Sequence, residues 1–377
     1  MTAAVAGSRF GYTVLWAAVV GSVIKFALNE GVARWQLATG TTLIEGWGAR
    51  LGRWFLVGFL IYLVLWTIIV SAALMAACGL AIHAMVPSVP VELGGILHSL
   101  AALTLVLVGR YLLFERAMKL FIGIMFVTVV GGAFLSSPDW IEVLSGFVPA
   151  VPTDSGAFLL GVIGGVGGSV TILSYSYWMR EKGWTTSADV RSARFDLVAA
   201  YTLTGIFGVA IIVTAAGLEV EQMTGNAIAL AIADRMGEFV GPVGKWIFLI
   251  GFWGAVFSSM LGVWQGVPYI FADCLRVLRS DVAATVESTS REYRGYLLFL
   301  GLLPAFILLA GRPVWIVLVY SVFGAAFLPI LAGSLLALNN RASFVGNLRN
   351  GKIINLLLGI ALVLFLILGI SGVMDRF

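Results

Sequence analysis

Few residues in this chain can do chemistry, and most of them sit where a polar group is costly. Lys25, Asn29, Glu30 and Arg34 fall inside or at the end of an apolar stretch, residues 11–34. An ionisable side chain in such a place either has a partner or marks a path for ions or protons. Glu30 and Arg34 are four residues apart with the acid first, the favourable order for a pair on one helix face. Lys25 either snorkels or takes a partner of its own. The group therefore reads in two ways, as a structural clamp or as part of an ion pathway. Arg294, at the edge of a later span, is a further pathway candidate.

The second constellation is Gly161-Val-Ile-Gly-Gly-Val-Gly-Gly-Ser-Val-Thr-Ile-Leu-Ser-Tyr-Ser-Tyr-Trp178, with five glycines in the eight residues 161–168. Each glycine in a helix interior costs about 1 kcal/mol against alanine, so this run is a poor way to build a continuous helix. Gly161/Gly165 and Gly164/Gly168 have the small-xxx-small spacing that lets a neighbouring helix pack closely. Alternatively the helix is unwound here, and its freed backbone groups line a site at the middle of the membrane. The hydroxyl-rich run that follows favours the second reading. The candidate substrate-binding residues are Gly164, Gly165, Gly167, Gly168, Ser169, Val170, Ser174 and Tyr175.

The elements that must position these residues are membrane spans. The chain is 60% hydrophobic and 11% charged, which describes an all-α polytopic membrane protein and excludes a soluble domain. The formal charge of +4 does not point to nucleic acid, because the basic residues lie in short loops. Apolar runs of about 18 residues or more predict ten spans, at 11–34, 54–86, 92–110, 115–136, 157–179, 195–217, 243–272, 293–310, 313–338 and 352–372. The loops after the odd-numbered spans hold 17 of the 23 Lys and Arg residues. By the positive-inside rule those loops face the cytoplasm of a bacterial inner membrane, and both ends of the chain face outwards. Residues 1–8 lack the basic segment that a cleavable signal needs.

Other candidates carry less. Tyr62, Trp66, Thr67 and Ser71 of the second span read as helix-packing residues. His83 and His98 read as interfacial, with no second ligand at metal-binding spacing. Cys78 and Cys274 suggest neither a disulfide nor a metal cluster. The acidic loop 137–156 is either an ordinary solvated loop or a funnel that concentrates cations. Pro268 and Pro329 imply kinks in their spans. No nucleophile triad, carboxylate pair or phosphate-binding loop is present, so neither enzymatic activity nor a cofactor is expected.

Several stretches resemble one family. Ala33-Arg-Trp-Gln-Leu-Ala-Thr-Gly-Thr-Thr-Leu-Ile-Glu45 is similar to the Ala-Arg-Leu-Gly-x-Ala-Thr-Gly-x-x-Leu-x-Glu segment that closes the second helix of Nramp-type divalent metal transporters. Phe10-Gly-Tyr-x-x-Leu-Trp16 resembles the entry to that helix. Ser258-Ser259 with Gly266 and Tyr269 resembles the family's eighth helix, and Gly346-x-x-Arg-Asn350 the segment before its eleventh. The resemblance runs in order over nearly the whole chain. It implies a leucine-transporter-like inverted repeat, five helices plus five plus one, each repeat opened by a broken helix. The chain would form one transmembrane domain over 1–377, with an incomplete first repeat at 11–136, a second at 157–338 and an extra helix at 352–372. Residues 1–8 would be the last turns of the first broken helix, whose remainder is expected upstream of residue 1.

The same resemblance implies a secondary transporter for a cation, with a divalent metal as first candidate and protons as candidate coupling ions. A small organic solute, or a membrane partner that does not transport, are the alternatives. Two ligand motifs of the family are absent. No residue here matches its Asp-Pro-Gly-Asn, and its Met-Pro-His falls on Gly168, Ser169 and Val170. The second span also lacks the acids that the family's third helix carries. What remains is the scaffold and the break, with hydroxyls and freed carbonyls as the available ligands.

Overall fold

The computed structural model describes residues 2–109, 111–165, 168–218, 225–280, 286–309, 316, 319–320 and 323–374. Helices α1 (Thr2–Phe10) and α2 (Leu15–Thr39) are joined by a short 3₁₀ segment, Gly11–Val14, and together are long and apolar enough to cross a membrane. Gly40, with φ +71°, ends α2, and its N–H donates to the carbonyl of Gln36. Thr42 and Glu45 then form a reciprocal capping box that starts α3 (Leu43–Arg50). This box satisfies two of the donors that a helix start leaves without partners. It also fixes where α2 turns back into the bundle.

The remaining elements are α4 (Arg53–Met85), α5 (Val91–Val108), α6 (Tyr111–Leu135), α7 (Trp140–Ser145), α8 (Gly156–Gly165) and α9 (Tyr175–Glu181). They are followed by α10 (Val190–Ala215), α11 (Gly225–Val240), α12 (Pro242–Leu278), α13 (Arg291–Leu302) and α14 (Ala305–Leu308). Helices α15 (Phe327–Asn339), α16 (Ala342–Val345) and α17 (Lys352–Met374) complete the described chain. Helix α2 is central. It packs on α8 and α9 on one side, α10 on another, and α15 and α17 on a third. That position buries Lys25, Asn29, Glu30, Arg34 and Gln36 together with its apolar residues.

Among the described residues, seven helical stretches qualify as membrane crossings, and an eighth if Phe323–Asn339 and Ala342–Leu348, bent by 79°, are taken as one span. Toward the C-terminus two of the ten expected spans are interrupted or only partly described. Span 293–310 is interrupted where α13 stops at Leu302 and α14 resumes at Ala305, with Pro304 between them. Proline lacks the N–H that would carry the helix through. Part of span 313–338 lies outside the described residues. The last expected span, 352–372, coincides with α17, a single apolar helix from Lys352 to Met374. Helix α11 falls within no expected span; it packs on α4, α6 and α12.

The acidic loop forms a lid over the start of α2. Asp139 caps α7 by accepting from the N–H groups of Ile141 and Glu142. The N–H of Trp16 donates to Gly146 at 3.0 Å, and its indole N–H donates to Ala150 at 2.9 Å. These bonds tie the loop to the bundle through its backbone carbonyls.

Candidate functional site

Helix α8 is described as far as Gly165. The chain passes through Gly168, with φ +77°, and resumes as a 3₁₀ turn, Val170–Ser174, that leads into α9. The glycines divide the work. A Cβ on Gly161 would lie 2.4 Å from Thr2 Cγ2, and one on Gly164 would lie 3.0 Å from Ala325 Cβ. Those two permit close packing against α1 and against the segment before α15. Gly165 faces open space, and Gly168 adopts a left-handed conformation that favours glycine. Packing and unwinding thus coexist, the first in one half of the run and the second in the other. Gly167 lies outside the described residues.

A helix end leaves its last carbonyls without intrahelical partners and carries partial negative charge. Here Lys25 supplies the partner. Its Nζ donates to the carbonyl of Gly164 at 2.9 Å and also to the carbonyl of Gly168. The side chain is fully buried, and among the described residues no carboxylate pairs with it. An ammonium group in an apolar interior normally takes a counter-charge. This one rests instead on two main-chain oxygens, one on each side of the break.

Three of the hydroxyl candidates lie close to the break in the chain, but their environments differ. Ser169 is 2% exposed, and its Oγ accepts from the indole N–H of Trp66 at 3.0 Å. Tyr320 also bonds this hydroxyl. Trp66, expected as a packing residue, therefore reaches the break. Val170 is buried and begins the 3₁₀ turn. Ser174 is fully buried, and among the described residues its hydroxyl has no partner. The absence of a side chain on Gly266 makes room for it, since a Cβ there would lie 2.5 Å from Ser174 Oγ. Tyr175 points elsewhere, donating to Asp196 at 2.8 Å. A cavity of about 350 Å³ reaches the break at Gly165, bordered by Thr2, Tyr320 and Ser259 among largely apolar neighbours.

The other pathway candidates separate into distinct places. Glu30 is gripped by two guanidinium groups: Arg34 from its own helix, bonded to both carboxylate oxygens, and Arg194 at 2.8 Å. Arg34 also donates to the carbonyls of Leu348 and Arg349, at 2.9 and 3.2 Å. Asn29 donates to Tyr201 at 3.2 Å. Arg294 is exposed on the first turns of α13 and joins neither cluster.

A further cluster is not among the sequence-based candidates. Buried Asp273 accepts from Thr42 at 2.6 Å and from Tyr177 at 2.8 Å, and is paired with Arg276 at 2.7 Å. Arg276 also bridges to Glu45. The cluster ties the α2–α3 turn, α9 and α12 together beyond the break. The available signal was an acid at the end of an apolar run with a base three residues on. Among the described residues no three His, Cys, Asp or Glu side chains are grouped to hold a metal. His98 is engaged on both nitrogens, with Gly94 at 2.7 Å and the indole N–H of Trp253 at 2.7 Å. Nδ1 therefore carries the ring proton.

Fold and site together define a multi-pass integral membrane protein built around a helix broken at mid-bundle, with a cationic group resting on the freed carbonyls. The chain belongs to the Nramp family: the model for "Natural resistance-associated macrophage protein-like" proteins matches residues 1–375. It is 25% identical over 400 residues to the divalent metal cation transporter MntH of Bacillus subtilis, a match covering 99% of this chain and 87% of the relative. It is 25% identical over 281 residues to MntH of Mycobacterium leprae, covering 69% of this chain and 63% of that protein. The crystal structure of the Eremococcus coleocola manganese transporter, in complex with an aromatic bis-isothiourea compound, superposes with a TM-score of 0.74 at 17% identity. That superposition covers 100% of this chain and 82% of the other, and identifies the shared fold.

Proposed function

We propose that this chain is a secondary transporter that carries a metal cation across a bacterial inner membrane, with its site at the break between α8 and the 3₁₀ turn. The observation that supports this reading most directly is the pair of carbonyls at Gly164 and Gly168, which already hold a positively charged group. Oxygens that accept from an ammonium can equally ligate a metal ion. The MntH relatives support a divalent metal as the cargo. Five-helix repeats at 11–136 and 157–338 would bring the two broken segments face to face, consistent with α1 lying against α8. Protons are the candidate coupling ions, and the basic loops would face the cytoplasm.

The ligands available govern the expected selectivity. Thioether and imidazole groups favour late transition metals, whereas carbonyl, hydroxyl and water suit magnesium, calcium and manganese. Gly168, Ser169 and Val170 bring neither sulfur nor imidazole. Cations held here would be bound by main-chain oxygens, the Ser169 hydroxyl and retained water.

The test is uptake of radioactive manganese into proteoliposomes holding the purified chain, with magnesium as competitor. Manganese uptake that magnesium suppresses at comparable concentration is the expected result. Tight manganese uptake that ignores excess magnesium would overturn the oxygen-only site. Failure to carry any divalent ion would overturn the transport reading.

A further inference from the structure

Gly168, Ser169 and Val170 stand where the resemblance places Met-Pro-His, but the break is not bare. Lys25 enters it from α2, 139 residues away in sequence, and donates to the carbonyls on both sides of the interruption. The side chain is fully buried. The nearest acid on the same helix, Glu30, is committed to Arg34 and Arg194. Asp273, the other buried carboxylate that α2 and its following turn approach, is committed to Thr42, Tyr177 and Arg276. Among the described residues the ammonium therefore has these two carbonyls as its partners.

We propose that the ε-ammonium of Lys25 is the resident occupant of the cation site, a tethered competitor that a metal ion must displace before it can bind. Lys25 is then the residue that determines how tightly this site takes an external cation. The inference rests on the reading of the break as the cation site. Its logic is competition for the same lone pairs. A divalent ion binds oxygen at about 2.0–2.6 Å, closer than the 2.9 Å at which Gly164 accepts from Lys25. Both cannot use these oxygens at once, and two cations side by side repel strongly where no acid among the described residues lies between them. A lysine is suited to the task because its charge sits on a flexible four-carbon stem that can swing away without moving the backbone. A purely structural strut would behave differently, since its removal would loosen the break without improving metal binding.

The experiment compares equilibrium binding of Mn²⁺ and of Mg²⁺ to the purified full chain, to Lys25→Met and to Lys25→Arg, by isothermal titration. Methionine keeps the length and apolar stem but removes the charge. Lys25→Met should bind both ions about tenfold tighter or more, the direction expected when a like charge a few ångströms away is removed. Lys25→Arg should gain nothing. A second measurement needs no variant: acetylation of the unaltered chain by acetic anhydride, read by mass spectrometry. Saturating Mn²⁺ should raise modification of Lys25 severalfold while leaving exposed Lys182 and Lys352 unchanged. Metal binding that is the same or weaker in folded Lys25→Met overturns the proposal while leaving the cation site standing, as does metal binding without any change at Lys25. If Lys25→Met does not fold, the acetylation result decides alone. Absence of binding in both the unaltered chain and folded Lys25→Met overturns the cation-site reading, and this inference with it.

Discussion

The phenol of Tyr177 donates to Asp273 at 2.8 Å, and that bond fastens the segment beyond the break to the end of α12. Asp273 is 1% exposed and holds Thr42 and Arg276 as well. Removing its carboxylate strands two hydroxyls and half of a guanidinium's partners in the interior. Asp273→Ala should therefore cost about 3–5 kcal/mol, the usual result of breaking a buried pair from one side. Tyr177→Phe deletes one bond and should cost about 1–2 kcal/mol. Thermal unfolding of the detergent-purified variants should rank them in that order; equal melting points would show that the cluster is not holding the bundle.

Glu30 offers a sharper contrast, because its two partners differ in burial. The Arg34 side chain is 5% exposed and that of Arg194 is 47% exposed. Glu30→Gln leaves Arg34 buried without its carboxylate and should cost about 3–5 kcal/mol. Arg194→Ala removes a partner already in solvent and should cost under about 1 kcal/mol. Comparable losses in thermal stability for the two variants would mean that burial does not govern this pair.

Gly164 and Gly168 bracket the break, and Gly165 between them provides a control. Gly168 has φ +77°, and a Cβ there would lie 2.3 Å from Thr171 Oγ1. Gly168→Ala should destabilise by about 1–2 kcal/mol from conformation alone. Gly165 is helical in α8, and a Cβ on it would meet nothing within 4 Å. Gly165→Ala should be neutral or stabilising by up to about 1 kcal/mol. A lower melting point for Gly168→Ala but not for Gly165→Ala is the expected outcome, and a loss at Gly165 would mean that it too must be glycine.

Orientation is checked by labelling. Ser192→Cys and Ser288→Cys lie exposed beside basic loops, and Ser145→Cys lies exposed on the acidic loop. In a background without Cys78 and Cys274, both of them buried, an impermeant thiol reagent applied to intact cells should label Ser145→Cys and spare the other two. The reverse pattern would invert the chain in the membrane.

Much of this fold is written in local patterns. An apolar run long enough to cross a bilayer is a property of consecutive residues, since bilayer thickness sets the length required. The class of protein, most of its spans and the family motifs at Ala33–Glu45 were therefore legible directly. So was the interruption at Gly161–Gly168, because glycine acts on the backbone it belongs to. The split of the expected span 293–310 at Pro304 was a local signal too, outweighed by the hydrophobicity around it. Helix α11 is partly polar and shorter than a crossing, so a search for apolar runs passes over it.

Partners of buried charges are another matter. Lys25 could have snorkelled, and only the packing of α2 against α8 brings it to carbonyls 139 residues away. Thr42 and Asp273 are 231 residues apart, and nothing near either one announces the other. Arg294 is a pathway candidate and Tyr175 a binding candidate by sequence, yet one lies exposed on α13 and the other bonds Asp196. A buried charge takes whichever opposite dipole the fold brings within about 3 Å, and which dipole that is depends on how helices distant in sequence pack. Backbone preference within residues 161–168 was enough to break the helix there; only the packing of α2 against α8 decided that a lysine would fill the break.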